Sequence, residues 1–103
     1  SGIYKDETLD LKIGNAFDIV CERSQTDFEK ISDTVYEMEF AIALRNHKTA
    51  PIVVQVNEPV GGTWRMIRST HEWQKTAAWA AQFTVPVQAD GAATLKYRVR
   101  VTY

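Results

Sequence analysis

An uninterrupted alternation of apolar and polar residues over positions 95–103 is the feature that most constrains the fold of this chain. The apolar positions are Leu95, Tyr97, Val99, Val101 and Tyr103, and the residues between them are Lys96, Arg98, Arg100 and Thr102. Successive side chains of a strand point to opposite faces, so the segment is predicted to be a β-strand with one buried and one solvated face. Because Tyr103 continues the apolar face, we expect its side chain to point inward and dock the C-terminus.

Turn signals separate several more alternating segments upstream. The strongest is the run Pro59-Val60-Gly61-Gly62, and others are Ser32-Asp33 and the run Gln88-Ala89-Asp90-Gly91. Strands separated by turns roughly every 8–12 residues are typical of a sandwich. The sequence therefore predicts an all-β fold. We expect a two-sheet antiparallel β-sandwich, immunoglobulin-like or fibronectin type III-like, with about seven strands.

The apolar face changes from odd to even positions between Cys21 and Phe28. A one-residue slip exchanges the two faces of a strand, so a β-bulge is predicted there. Gly14-Asn15 is predicted to turn or kink the chain upstream. The predicted core comprises Leu9, Leu11, Ile13, Phe17, Ile19, Met38, Phe40, Ile42, Leu44, Val54, Val56, Trp64, Phe83, Val85, Tyr97, Val99 and Val101.

Two segments give weaker signals. Residues 69–76 are polar except for Trp73, which indicates a loop or a ragged sheet edge. Residues 76–82 are rich in alanine and admit a helical turn by propensity. That stretch is too short for a stable helix, and Trp79, Phe83 and Val85 keep an odd-numbered register, so a strand is favoured.

Size and charge limit the possible classes of protein. A chain of 103 residues forms one domain with its own core. The net charge of −1 gives no bulk positive field, so we expect no nucleic-acid partner. No apolar run approaches the ~20 residues of a membrane span, so we expect no direct membrane insertion. We interpret residues 1–2 as the remnant of a cleaved expression tag, and residues 3–103 as one β-sandwich domain, the C-terminal domain of a longer protein.

Residues that could carry catalysis are sparse. His47 and His71 lie in predicted loops without metal-ligand spacing. Cys21 shares the apolar face of its strand, where a free cysteine behaves as a small inert hydrophobe. We therefore predict no catalytic residue, no metal, no cofactor and no enzymatic activity.

The tryptophans offer one candidate contact site. Trp64 and Trp79 follow the strand pattern and are expected in the core. Trp73 lies in the polar run that contains His71. Two interpretations of Trp73 are open: it contacts a protein partner or stacks on a glycan, with His71 beside it, or it folds back to cap one end of the sandwich.

A basic stripe, Lys96, Arg98 and Arg100, lies on the solvated face of the last strand. It is a candidate surface for phosphate or an acidic partner. Cross-strand pairing with Glu37 and Glu39 is the favoured interpretation, because these acids alternate in the same way on the longest strand and no aromatic residue is interleaved as a base-stacking platform.

Three stretches together resemble one known family. They are Gly14-Asn15-Ala16-Phe17-Asp18, then Arg45-Asn46-His47-Lys48 leading to Pro51, and Leu95-x-Tyr97-x-Val99-Arg100-Val101. They are similar to the C-terminal domain of a bacterial family of unknown function, in the same broad group as mucoidy-inhibitor-like proteins. The resemblance implies a C-terminal sandwich of an exported protein and a periplasmic or cell-envelope location. It implies no reaction and no ligand.

The residues themselves favour a structural interpretation of the turn in that resemblance. Asn46 suits a turn, because its short amide can bond nearby backbone. The sequence as a whole predicts a non-catalytic interaction or spacer module of a larger bacterial protein. The alternative is a small carbohydrate-binding sandwich that uses an exposed Trp73.

Overall fold

The computed structural model describes the backbone of residues 5–10 and both backbone and side chains of residues 19–103. These parts of the chain form eight strands: β1 (Lys5–Asp10), β2 (Ile19–Lys30), β3 (Val35–Asn46), β4 (Ile52–Pro59), β5 (Thr63–Ser69), β6 (Glu72–Ala77), β7 (Ala80–Val87) and β8 (Ala92–Thr102). The predicted Gly14-Asn15 turn lies outside the described residues. So do the predicted core side chains of Leu9, Leu11, Ile13 and Phe17.

The strands form two four-stranded sheets. Sheet A has the order β1-β4-β7-β6, and sheet B has the order β2-β3-β8-β5. Strands β2 to β8 pair antiparallel, which confirms the all-β, two-sheet architecture. Edge strand β1 differs from the expected pattern because it runs parallel to β4.

The core lies between the sheets and follows the predicted alternation. On β4 the buried residues are Ile52, Val54 and Val56; the inward residues of the neighbouring β7 lie beside them, and those of β8 in sheet B face them. The Phe83 and Tyr97 rings meet with centroids 4.6 Å apart. The predicted core residues that are buried are Ile19, Ile42, Leu44, Val54, Val56, Trp64, Phe83, Val85, Tyr97, Val99 and Val101. Met38 and Phe40 are partly buried against this core.

The predicted bulge in β2 is present. The register between β2 and β3 shifts between Gln25 and Asp27. Before the shift, Arg23 pairs with the inward Ile42, and after it Phe28 pairs with Met38. The bulge therefore keeps Phe28 on the inner side of sheet B, although its position number has the opposite parity to that of Cys21.

The prediction that Trp79 is a core residue is wrong. Ala78 and Trp79 form the turn between β6 and β7, and the Trp79 side chain is 62% exposed. Strand β7 begins only at Ala80, after the turn, so its odd-numbered inward register does not extend back to Trp79. The backbone carbonyl of Trp79 accepts a hydrogen bond from the amide of Val60 at 2.7 Å.

Residues 72–77 form β6, the edge strand of sheet A. This edge position corresponds to the ragged sheet edge predicted for residues 69–76, whereas the loop interpretation is wrong for residues 72–76. Its register with β7 shifts between Lys75 and Ala77. The helical alternative for residues 76–82 is wrong, because the hairpin turn and the cross-strand bonds to β7 outweigh the weak propensity of the alanines.

Asn46 holds the connection between β3 and β4, as predicted for a turn residue. Its side chain is fully buried, and its Nδ2 donates to the carbonyls of Ala50 and Gln88, each at 3.0 Å. Its Oδ1 accepts from the amide of Lys48 at 2.9 Å. Arg45 reaches solvent and pairs with Asp90 at 3.2 Å. The arrangement satisfies turn backbone groups that would otherwise be buried without partners.

Sheet B is longer than sheet A at the β2–β3 hairpin. Strands β2 and β3 have 12 residues each, whereas β4 and β7 have 8. The inner face of sheet B is therefore incompletely covered near the hairpin, where Phe28 is 57% exposed. The Tyr103 side chain continues the inward side of β8, as predicted, but it is 67% exposed, so it is not buried. Its backbone amide is anchored to the carbonyl of Thr34 at 2.8 Å, and its ring contacts that of Tyr36.

Candidate functional site

The uncovered end of sheet B forms an open hollow with a volume of about 490 Å³. We call it the aromatic hollow. It is lined by Phe28, Asp33, Tyr36, Met38 and Tyr103. Its volume lies within the range of small-molecule sites, roughly 300–1,000 Å³. Exposed aromatic side chains that cluster at one end of a small domain mark a contact surface more often than scattered ones do.

The register of three strands sets the geometry of the hollow. The Tyr36 ring lies between the other two rings, with centroid distances of 5.6 Å to Phe28 and 5.9 Å to Tyr103. The ring planes are inclined by 36° and 65° respectively. Phe28 comes from β2, Tyr36 from β3 and Tyr103 directly follows β8, so each ring belongs to a different strand of one sheet or its extension.

A glycine turn gives Tyr103 its place. Gly62 has φ of 66°, a left-handed conformation that favours glycine. A Cβ atom at position 62 would lie 2.8 Å from the carbonyl oxygen of Thr102 and 3.2 Å from Cδ1 of Tyr103. Gly61 is less constrained, because a Cβ atom there would meet the Tyr103 hydroxyl at 3.6 Å, an ordinary contact.

One carboxylate and one ammonium group lie at the rim of the hollow. Asp33 is in the hairpin turn with its side chain fully exposed, and the Lys30 Nζ lies 3.7 Å from its Oδ1. The Tyr36 hydroxyl donates to the Asp33 carbonyl at 3.4 Å. An ion pair between two exposed side chains is weak, roughly 0–1 kcal/mol. The Asp33 carboxylate is therefore still available to a ligand.

A second polar group lies inside the core. Glu58 is 1% exposed, and its Oε1 accepts hydrogen bonds from Arg23 Nε at 2.9 Å and from the Tyr97 hydroxyl at 2.5 Å. The Arg23 guanidinium also lies 4.1 Å from the centroid of the Phe40 ring. Burial and the neighbouring Glu58 carboxylate raise the pKa of Tyr97, so this residue stays a neutral hydrogen-bond donor.

Sequence reasoning did not single out Glu58. The alternation of β4 contained the signal, because Glu58 continues the even-numbered positions Ile52, Val54 and Val56. Its Oε2 is buried and has no hydrogen-bond partner. The group is a structural ion pair that links β2, β4 and β8 across the sandwich.

The basic stripe is paired with acids, as its favoured interpretation predicted. Strand register places Arg100 opposite Glu37 and Arg98 opposite Glu39. Arg98 Nε lies 2.6 Å from Glu37 Oε1, and Arg100 Nε lies 2.8 Å from Glu37 Oε2. Lys96 Nζ lies 3.7 Å from Glu39 Oε2. The stripe therefore does not present three unpaired cations to a phosphate.

Two further residues extend this network across the outer face of sheet B. Arg98 also pairs with Asp27 at 2.7 Å, and Arg68 of β5 bonds to Glu39. The hydrogen bonds from Arg98 and Arg100 lower the pKa of Glu37, and the bond from Arg68 lowers the pKa of Glu39. Ionised Glu37 and Glu39 therefore hold β2, β3, β8 and β5 together on this face.

Trp73 lies on β6, the edge strand of sheet A, on the side of the sandwich where β5 is the edge strand of sheet B. Its ring packs on Trp64 with centroids 5.8 Å apart, yet the side chain is 41% exposed. Lys75 Nζ lies 4.9 Å from the centroid of the Trp64 ring. Trp73 thus caps the open edge of the core and keeps part of its ring in solvent, which combines features of both interpretations of the sequence.

A polar cleft of about 200 Å³ adjoins Trp73 on the outer side of sheet A. Its lining residues are Gln55, Glu72, Trp73, Gln74, Gln82 and Thr84. A row of side-chain amides crosses it: Gln74 Nε2 donates to Gln82 at 3.2 Å, and Gln82 Nε2 donates to Asn57 at 2.9 Å. His71 lies nearby in sequence, and its Nδ1 contacts Thr70 Oγ1 at 2.7 Å. Partial burial lowers the pKa of His71.

The structure does not bring the remaining candidates together. Cys21 lies on the inner side of β2, and burial, followed by the nearby Glu58, raises the pKa of its thiol. A raised pKa keeps the thiol protonated and a poor nucleophile at neutral pH. His47 is exposed in the β3–β4 connection. Among the side chains that the structure describes, those of residues 19–103, no group of three or more His, Cys, Asp or Glu is arranged to hold a metal ion.

Comparisons with known proteins identify no relative: no family model, curated protein or solved structure matches this chain. In the part of the chain that the structure describes, there is no helix of the length and apolar character needed to cross a membrane.

Proposed function

We propose that this domain is a non-catalytic interaction module of a larger bacterial protein, and that the aromatic hollow is its contact surface. The observation that carries the proposal is the clustering of three aromatic rings on an uncovered sheet end. Phe28 and Tyr103 are each more than half exposed there. Burying such surface in a complex is favourable by roughly 25 cal/mol per Å² of apolar area.

The rest of the sandwich supports the role of a scaffold. The outer face of sheet B is fixed by the Glu37 and Glu39 ion pairs, and the interior is fixed by Glu58. Both sets of bonds join strands that are distant in sequence. A hollow built on rigid strands holds its rings in place before binding, which lowers the entropic cost of forming a complex.

A test that presumes no particular ligand separates an interaction module from a passive spacer. Thermal unfolding is followed for the wild type, the double variant Phe28→Ser/Tyr103→Ser and the control Val20→Ser against a library of metabolites, peptides and glycans. Val20 is an exposed apolar residue at the other end of β2. Because a ligand stabilises only the state that binds it, we expect at least one class to raise the Tm of the wild type and the control but not of the double variant. Equal shifts in all three proteins, or no shift with any class, would contradict the proposal.

A carbohydrate-binding function is the second candidate. It is favoured by the part of the Trp73 ring that reaches solvent at the edge of sheet A, and by the amide and hydroxyl side chains of the polar cleft on the outer face of the same edge. Trp73 pairs with the inward Phe83, so its ring and the cleft lie on the two faces of β6 and a glycan would contact both across the edge. Aromatic rings stack on sugar faces, and amides bond to sugar hydroxyls. Titration of tryptophan fluorescence with oligosaccharides tests it, with Trp73→Ala as the variant. Quenching that disappears in Trp73→Ala would support a glycan site, whereas no quenching by any glycan would rule it out.

The proposal extends to the fold type, the protein family and the location of this domain. We propose an immunoglobulin-like or fibronectin type III-like sandwich, supported by two four-stranded sheets joined by repeated crossings between them. We also propose membership in the bacterial family of unknown function that the Arg45–Lys48 turn resembles, with a periplasmic or envelope location. The sequence of the parent protein tests both statements through its N-terminal region and the presence of an export signal.

A further inference from the structure

We propose that the aromatic hollow binds a small soluble quaternary ammonium ion, a ligand of the choline class. This inference rests on the proposed function, because it names the ligand of the same surface. It follows from two features of the hollow: aromatic rings carried by β2, by β3 and by the residue after β8, and a carboxylate at the rim.

The rings supply the attraction for a cation. An aromatic face carries negative electrostatic potential, and sites that recognise quaternary ammonium groups combine several such faces. In the hollow, Phe28 and Tyr103 flank Tyr36, and the inclination of the ring planes makes the surface concave. A rounded trimethylammonium group can contact more than one ring at once in such a hollow.

The polarity of the lining selects the type of cation. Of the five lining residues, Asp33 is the one with a carboxyl side chain, and Met38 forms an apolar part of the wall. A primary ammonium group is strongly hydrated, and it would lose hydrogen bonds to water on entering the space between the rings. A quaternary ammonium group donates no hydrogen bond, so it loses none when it leaves water for the rings. The Asp33 carboxylate adds charge complementarity at the rim.

Lys30 opposes this attraction. Its ammonium group lies 3.7 Å from Asp33 and contributes a like charge near the ligand. The Lys30 side chain is more than half exposed, so solvent screens its charge and the chain can turn away. The opposition makes a specific prediction: replacing Lys30 by Met should strengthen binding of the cation, whereas replacing Asp33 by Asn should weaken it.

The experiment compares choline with its neutral isostere 3,3-dimethylbutan-1-ol in titrations followed by NMR chemical shifts of the full chain. We expect saturable binding of choline in the millimolar range, with the largest shifts at residues 28, 36 and 103. The neutral alcohol should bind about fivefold more weakly or worse, the factor that corresponds to a cation–π contribution of about 1 kcal/mol. Equal binding of both compounds would show an apolar site and would overturn the inference.

Variants locate the site and control for folding. Tyr36→Leu keeps an apolar side chain but removes one ring face, and it should weaken choline binding about fivefold. Val20→Ser at the far end of β2 should leave the affinity unchanged. Lys30→Met and Asp33→Asn should change the affinity about twofold in opposite directions, since both residues are exposed. A Tyr36→Leu protein that unfolds cooperatively like the wild type and binds choline equally well would contradict the site.

Two outcomes separate this inference from the proposed function. If the ligand library yields a compound of another class that protects the wild type but not Phe28→Ser/Tyr103→Ser, the interaction surface stands and the quaternary ammonium ligand is wrong. Vesicles of phosphatidylcholine provide the other arm. Binding to vesicles without binding of free choline would overturn the inference, because the protein would then recognise the lipid surface and not the soluble cation.

Discussion

Gly61 and Gly62 are neighbours in the turn before β5, but their backbones impose different demands. Only Gly62 has a positive φ, and a Cβ atom there would press against the Thr102 carbonyl and the Val101 side chain. We expect Gly62→Ala to lower the free energy of unfolding by more than about 1 kcal/mol. Gly61→Ala should change it by less than about 0.5 kcal/mol. Urea unfolding of both variants checks this, and equal midpoints would show that the turn is not strained.

Glu58 is a charged residue that is buried in this core and paired with Arg23. Replacing it with Gln preserves its size but removes the charge that pairs with Arg23. We expect Glu58→Gln to destabilise the fold by about 1–3 kcal/mol, because the remaining groups stay buried with poorer partners. Glu72→Gln, on the exposed edge strand, should lie within about 0.5 kcal/mol of the wild type. If Glu58→Gln lowered the free energy of unfolding as little as Glu72→Gln does, the Glu58 interactions would contribute nothing to stability.

At the scale of single elements, the outer face of sheet B predicts a pH dependence. The bonds from Arg98 and Arg100 hold the pKa of Glu37 below its ordinary value. Since the folded pKa is lower than the unfolded one, about 4.3 for Glu, the contribution is complete above that value and disappears as the pH falls through the folded pKa. Stability should therefore decrease on acidification below about pH 4.3.

The variant Glu37→Gln isolates this contribution. It should be less stable than the wild type at neutral pH, and the difference between the two proteins should shrink as the pH falls, because the wild-type carboxylate becomes protonated. Urea unfolding at a series of pH values measures it, because urea is uncharged and does not screen the ion pairs. A constant difference from neutral to acidic pH would show that the Glu37 ion pairs do not stabilise the sheet.

The elements also show where sequence patterns are sufficient. Long alternating strands are predictable, because one buried face fixes the register, and even the bulge before Asp27 follows from a change in parity. The edge strand β6 is not, since five of its six residues are exposed and such a strand needs no strict alternation. Trp79 is misassigned for a related reason: the exact start of a hairpin turn depends on pairing with a distant strand, and the local pattern does not contain it.

The candidate site was predictable only in part. Its aromatic residues occupy inward positions, and their patterning alone indicates core. They are exposed because sheet B extends past sheet A, a difference in strand length that depends on where β4 and β7 end. The pairing of Arg98 and Arg100 with Glu37 was accessible, because alternation on two neighbouring strands places these residues on one face.

At the scale of the whole molecule, β8 is the strand that unites sheet B. It lies between β3 and β5 and contributes four buried side chains to the core, Leu95, Tyr97, Val99 and Val101. Removing residues 95–103 should abolish folding, because both neighbouring strands lose their ladder and the core loses its largest aromatic contact. Circular dichroism during heating tests this. A cooperative transition in the truncated chain would show that β8 is not part of the cooperative unit.

The molecule is elongated, with extents of 49 × 23 × 23 Å. The aromatic hollow at the β2–β3 hairpin and the Trp73 edge at β5–β6 are separate surfaces of it. A ligand at one therefore need not compete with a ligand at the other. This separation allows a single experiment to decide which surface is used.

The most direct test of the binding account is a filtered NOE measurement on the chain in the presence of choline. The methyl protons of the bound ligand should show cross-peaks to ring protons of Phe28, Tyr36 and Tyr103, because the hollow brings these rings within contact of one trimethylammonium group. Cross-peaks to the Trp73 and Trp79 rings instead, or none to any aromatic ring at saturating choline, would contradict the account.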